Sequence, residues 1–292
     1  MRLIVKSSIS KLSDNSFKSN LGDVIRATVL LNCFADDCYM WLTDNNGKKI
    51  LKYFIPEEKI LVKESAEEVL SVTEFNDVYY LDNYLLEVSF WKYLTGSTVY
   101  GFLHKTGEAA NDYIKAIMPY AKINSMDISW QEALVKGCGF DWKEQDYYLP
   151  INSADEKYDV GLNWHVHPDW PSKSWPKQSW EALASSLRDV VSVSFQQGLN
   201  NMDEYINWLG SCRCIITSDS LAVHLASALR KNVIVLIGPT DNREYSYDRV
   251  QVLCSERKMC LFCNNPNCNE KVNCMEMITV DNVIASFKKC IV

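Results

Sequence analysis

The chain lacks the marks of several large functional classes. It has no basic excess: 30 Lys and Arg stand against 37 Asp and Glu, a net charge of −7. A nucleic-acid binder normally carries a basic footprint, so no nucleic-acid partner is expected. No apolar run approaches the ~18 residues of a membrane span. Met1–Lys6 is a short strand pattern without an apolar h-region or small-residue cleavage site, so a cytoplasmic protein is expected. Neither a glycine-rich dinucleotide fingerprint nor a Walker-type loop occurs, which argues against a dehydrogenase or P-loop NTPase. Internal repeats and low-complexity tracts are also missing.

What is present is apolar residues, cysteine and alternation. With 292 residues, 47% of them hydrophobic, the chain can build about two domains of roughly 150 residues. Eleven cysteines without an export signal do not read as a disulfide framework. Cys33, Cys38, Cys138, Cys212, Cys214 and Cys290 sit in or beside apolar segments and read as buried thiols. The other five fall between Cys254 and Cys274.

In the first half, strands are expected at Leu3–Lys6, Tyr39–Thr43, Lys59–Val62, Val78–Leu81 and Thr98–Phe102. Helices are expected at Asp23–Leu31, Ser65–Leu70, Tyr84–Tyr93, Glu108–Tyr120 and Ile128–Cys138, the last capped by Asp127. Asp44-Asn-Asn-Gly47 reads as a turn. The aperiodic, aromatic segment Asp141–Lys157, with Pro150, marks a domain boundary. The alternation then restarts: strand Asp159–Asn163, helix Trp180–Arg188, strand Val190–Phe195, helix Met202–Leu209 and a last helix Val280–Lys289. Two doubly wound parallel α/β domains follow, residues 1–150 and 151–292.

One segment carries most of the functional information. A β-branched run from Cys214 ends in Thr217-Ser218-Asp219-Ser220, a helix begins at once, and Asn232–Ile237 ends in Gly238-Pro239-Thr240. Two parallel strands joined by a helix place both polar tips at the carboxyl end of a sheet, where open α/β sheets bind ligands. The helix N-terminus offers N–H groups and a positive dipole end to a phosphate or diphosphate. His224, four residues after Ser220, lies on the same helical face. Nucleotide or anion binding is the favoured reading over a merely structural strand–helix–strand.

Three other constellations matter. Asn20-Leu21-Gly22-Asp23 places a carboxylate at a strand-to-helix turn, where it would accept a proton from a hydroxyl; the competing role is a helix cap. Pro171-Ser-Lys173-Ser-Trp-Pro176 puts a cation after a strand end, with Trp175 and Trp180 anchoring the loop. His165 and His167 nearby read as solvated. Cys260-x2-Cys263, Cys268 and Cys274 supply four soft thiolates, the donor set of a closed structural Zn²⁺ site, with iron as the alternative. Reduced thiols or disulfides are the competing state.

Lys6-Ser-Ser8, Leu21–Thr28, Lys173-Ser-Trp-Pro176, Ser218–Leu229 and Gly238-Pro-Thr-Asp241 resemble, in order, the motifs of glycosyltransferase family nine, the ADP-heptose:lipopolysaccharide heptosyltransferases and their relatives. The resemblance spans nearly the whole chain and is strongest in the second half. It implies a GT-B fold, two Rossmann-like domains facing across a cleft. The C-terminal domain would hold the sugar nucleotide, ADP-heptose foremost, and the N-terminal one the acceptor. It implies inverting transfer without a catalytic metal, with Asp23 as general base. Lys173 would contact donor phosphate, with Ser218, Asp219, Ser220, His224, Gly238, Pro239 and Thr240 around the donor. Some relatives look similar in carrying a Cys-rich metal knuckle. The acceptor would be a hydroxyl on a glycan or protein. Membrane contact would be peripheral at most, through Tyr79-Tyr80, Phe90-Trp91 or Tyr147-Tyr148. The rival function is a non-catalytic nucleotide-sugar-binding or scaffold protein, which turnover would distinguish.

Overall fold

The computed structural model describes residues 1–11, 17–82, 92–94, 96–101, 128–148, 155–198, 201–245, 247–255 and 262–290. The helices expected at Tyr84–Tyr93 and Glu108–Tyr120 fall largely or wholly outside these residues, as do Phe90, Trp91, Asp127 and Cys260. The chain divides into two compact units, Met1–Pro150 and Ile151–Val292. Among the described residues no helix is long and apolar enough to cross a membrane.

The first unit is built on a parallel sheet. Its strands are β1 (Arg2–Val5), β4 (Tyr39–Thr43), β5 (Ile60–Val62), β6 (Asp77–Tyr80) and β7 (Thr98–Gly101), in the order β5-β4-β1-β6-β7. Val5, Leu42, Val78, Tyr80 and Val99 pack together on the sheet. Burial on both faces explains why these strands read as apolar runs rather than as an alternating pattern. An antiparallel hairpin, β2 (Ile9–Lys11) and β3 (Phe17–Ser19), stands between β1 and helix α1 (Leu21–Ala27). The hairpin went unread in the sequence.

Three local expectations are corrected. Asp44-Asn-Asn-Gly47 opens helix α2 (Asn45–Leu51), because the Asp44 carboxylate accepts from the Asn46 N–H at 3.2 Å and caps it. Gly47 serves space rather than a turn: a Cβ there would lie 3.0 Å from Asp44 Oδ1 and closer still to Thr43 Oγ1. The helix expected from Asp23 starts at Leu21, and a 3-10 turn replaces it over Thr28–Cys33. Helices α3 (Glu67–Val72) and α4 (Trp130–Gly137) complete the described part of the unit. Ser129, rather than the expected Asp127, caps α4, its hydroxyl accepting from the Glu132 N–H at 3.0 Å, half of a Ser-x-x-Glu capping box.

The second unit repeats the logic with another strand order. Strands β8 (Tyr158–Asn163), β9 (Val193–Phe195), β10 (Cys212–Ser218), β11 (Asn232–Ile237) and β12 (Val250–Cys254) pair in parallel as β12-β11-β10-β8-β9. Of strand β12 the sequence locates only the end, reading Cys254 as a thiol at a strand end. Helices α5 (Lys177–Arg188), α6 (Met202–Gly210), α7 (Leu221–Ala228) and α8 (Val280–Cys290) pack on the sheet. Trp175 and Trp180 are buried edge to face, 5.0 Å between ring centroids, and Trp175 Nε1 donates to the Ile278 carbonyl at 2.9 Å. Two parallel sheets flanked by helices make this an α/β protein.

Tyr79, Tyr80 and Tyr147 are buried, so none of them presents an aromatic ring to a membrane. Among the scattered cysteines Cys138, Cys212 and Cys214 are buried, whereas Cys38 is exposed, against expectation. Its neighbours Asp36 and Asp37 belong to a solvated loop.

Candidate functional site

Each sheet has one point where strand order reverses. In the second unit that point lies between β8 and β10, and the residues leaving those strands are Asn163 and Thr217–Ser220. Ser220 is the N-cap of α7, its Oγ accepting from the Ala222 N–H at 3.3 Å. Asn163 joins the strand ends: its Nδ2 donates to Thr217 Oγ1 at 2.9 Å and to Ser220 Oγ at 3.2 Å. Tyr205 on α6 donates its hydroxyl to Asn163 Oδ1 at 3.0 Å. The cap of α7 is therefore held by three elements.

Asp219 is the charged centre of this edge. Its carboxylate lies 2.5 Å from Lys173 Nζ, and the Tyr245 hydroxyl donates to its other oxygen. Burial pushes the Asp219 carboxyl up, but the Lys173 charge and the hydrogen bonds from Lys173 and Tyr245 outweigh it and hold the group down to about 2. Asp219 is therefore a carboxylate at any ordinary pH. Lys173 arrives on the 3-10 turn Pro171–Lys173, its ammonium 4.5 Å from the centre of the Trp170 ring, a cation–π geometry. His224 is buried one turn into α7, its ring 5.8 Å from that of Tyr245.

Gly238, Pro239 and Thr240 leave β11 beside this cluster. A Cβ on Gly238 would fall 3.0 Å from Met275 Sδ and closer still to Cys274 Sγ. A side chain here would have to displace the Cys274 and Met275 side chains of the cysteine-rich segment. The structure thus brings Lys173, Asp219, Ser220 and His224 to one sheet edge, with Ser218 ending β10 and Gly238–Thr240 following the adjacent strand. Asn163, Tyr205 and Tyr245 were not singled out in the sequence as site residues. Asn163 is the last residue of the expected strand Asp159–Asn163, whereas nothing local marks the two tyrosines.

In the first unit the strand order reverses at β1, next to β6. Asp82, after β6, is fully buried and accepts from the Ser7 N–H at 2.9 Å and the Ser7 hydroxyl at 2.8 Å, with Lys6 and Lys63 ammonium groups at 3.3 and 3.2 Å. Asp44, after β4, accepts from the Ser8 N–H at 2.6 Å and from the Ser8 hydroxyl at 2.8 Å. The Ser8 carbonyl accepts from the Asn20 N–H at 2.5 Å, and Asn20 Oδ1 accepts from the Asp23 N–H at 3.3 Å. Asn20 is thus the cap of α1. Asp23 stands in the first turn, part-exposed, its carboxylate 3.2 Å from Arg26 Nη2. The capping role set against general-base chemistry belongs to another residue.

Of the four thiols expected to bind metal, Cys263 and Cys268 are exposed and Cys274 is buried under Gly238. Cys260 lies outside the described residues. Among the described residues no three His, Cys, Asp or Glu side chains gather as a metal site, so these alone do not make one.

No family model matches the sequence, and no curated protein does. Solved structures do match in fold. The family 9 glycosyl transferase of Veillonella parvula superposes with a TM-score of 0.69 at 14% identity, over 99% of this chain and 96% of that one. E. coli heptosyltransferase WaaC, solved with ADP-2-deoxy-2-fluoro heptose, gives 0.60 at 16% identity and 99% of both chains. The dodecameric iron-containing heptosyltransferase TibC, in complex with ADP-D-beta-D-heptose, gives 0.62 at 13%, over 99% of this chain and 76% of that one. The two parallel sheets described here therefore have the GT-B fold of the family 9 glycosyltransferases and heptosyltransferases.

Proposed function

We propose that the chain is an inverting glycosyltransferase that moves a sugar, a heptose foremost, from a nucleotide diphosphate to a hydroxyl on a glycan or protein. The observation that carries this reading is the Lys173–Asp219–Tyr245 cluster at the start of α7, on the reversal point of the second sheet. A diphosphate seated there meets a helix N-terminus and an ammonium group, and the buried His224 imidazole lies one turn into the same helix. Solved neighbours with ADP or ADP-heptose bound support an adenosine donor. Residues 1–150 would receive the acceptor and residues 151–292 the donor.

In this mechanism Asp23 takes the proton from the acceptor hydroxyl as its oxygen attacks the anomeric carbon. The bond from that carbon to the diphosphate breaks, and the departing charge falls on Lys173, His224 and the α7 N–H groups. No metal takes part. The chemistry belongs to the cytoplasm, where nucleotide sugars are made. Calorimetric titration with ADP, then a transfer assay with ADP-heptose, tests the proposal. ADP binding that Lys173→Met weakens, together with donor turnover, is expected. Binding without any turnover on glycan or protein acceptors would favour the scaffold reading. We also propose that the thiols between Cys260 and Cys274 take up iron or zinc as a structural ion, a reading supported by four thiolates within fifteen residues and by an iron-containing neighbour.

A further inference from the structure

The cysteine-rich segment touches the donor edge on two sides. On one, the Phe262 N–H donates to the Gly238 carbonyl at 3.0 Å and the Asn264 N–H to the Pro239 carbonyl at 2.7 Å. On the other, Ser172, the residue before Lys173, donates its N–H to the Pro266 carbonyl at 3.1 Å and its hydroxyl to the Asn265 carbonyl at 2.8 Å. Asn273 closes the loop, its Nδ2 donating to the Ser172 carbonyl at 3.4 Å while its Oδ1 caps the turn Cys274–Met277 through the Met275 N–H at 3.0 Å. Ser172 is buried. Phe262 and Asn264 hold positive φ, 62° and 51°, a conformation that side chains disfavour and that surrounding contacts must impose.

We infer that the segment Phe262–Cys274 is a positioning strap that bridges two turns of the proposed donor edge and fixes Lys173 relative to Gly238–Thr240. No part of the strap needs to touch the ligand. Its five hydrogen bonds set where the Pro171–Lys173 turn sits relative to the end of β11, and so where the Lys173 ammonium stands. This rests on the donor assignment above.

Ser172→Ala removes the hydroxyl bond to Asn265, and Asn273→Ser removes the bond to Ser172 while keeping an oxygen that can cap Met275. The full-length double variant should bind ADP about tenfold more weakly, with its melting temperature nearly unchanged, and in a Lys173→Met background it should cost nothing further. Restoring Asn273 alone should recover part of the affinity. Unchanged ADP affinity in the double variant overturns the strap. An equal loss with and without Lys173 also overturns it, because the effect would then not pass through the lysine. A wild-type protein that binds no ADP overturns the donor assignment itself and the strap with it.

Discussion

The residue that decides the catalytic reading is Asp23. Asn20 caps α1, so the Asp23 carboxylate is not needed to start the helix. Its placement is nonetheless tightly specified. Asp44 holds Ser8, Ser8 holds Asn20, and Asn20 holds the Asp23 N–H, a relay of hydrogen bonds from the β4 edge. Asp23→Asn keeps the shape and removes the basicity. It should bind ADP like the wild type and lose about 10²–10⁴ in kcat, as general-base removal typically does. Turnover near the wild-type value in a steady-state assay would leave Asp23 as no more than the partner of Arg26. At this scale the sequence was informative wherever the function of a residue follows from its neighbours in the chain, as for Ser220 at a helix start. Tyr245 was illegible: it reaches Asp219 across 26 residues, and that approach exists only once β11 lies beside β10.

At the scale of elements, the apolar runs located the central strands well. Tyr39–Thr43 was read to the residue, and β10 and β11 were placed by their β-branched runs. Strand β12, Val250–Cys254, is short and interrupted by Gln251, so only its end at Cys254 is legible. The Asp44–Gly47 signal misled because Asp and Asn serve turns and helix caps by the same side-chain-to-backbone bond, and only Ser8 and Thr43 settle which. The element most sensitive to one atom is the β11 turn. Gly238→Ala would press a methyl group onto Cys274 and Met275, and overpacking of this kind typically costs about 1–3 kcal/mol. Denaturant unfolding should show that loss. Calorimetry should show weaker ADP binding, since the turn or the strap must give way. A variant as stable as the wild type would mean that the segment yields freely.

At the scale of the whole molecule, composition and alternation were enough for the α/β class, because two parallel sheets need little more than apolar strands separated by helices. The order of strands within each sheet was not legible, since both orders satisfy the same local pattern. The metal proposal also belongs here, because it concerns what the purified protein contains. Elemental analysis of protein prepared without chelators should find about one iron or zinc per chain, the content of a single tetrahedral thiolate site. Chelation should lower the melting temperature. Well-folded protein without either metal would leave the cluster as thiols.

The pairing of Lys173 with Asp219 has a consequence for selectivity. Lys173 carries its own counter-ion, so it is not a bare charge waiting for any anion. Under the donor reading proposed above, an incoming phosphate would compete for the ammonium with a carboxylate already at 2.5 Å. A lone inorganic anion would offer little beyond its charge and would be poorly placed to win that competition. A diphosphate joined to a sugar and a base would bring additional contacts to that competition. On that reading the internal ion pair would act as a threshold, admitting ligands by their whole structure rather than by their charge.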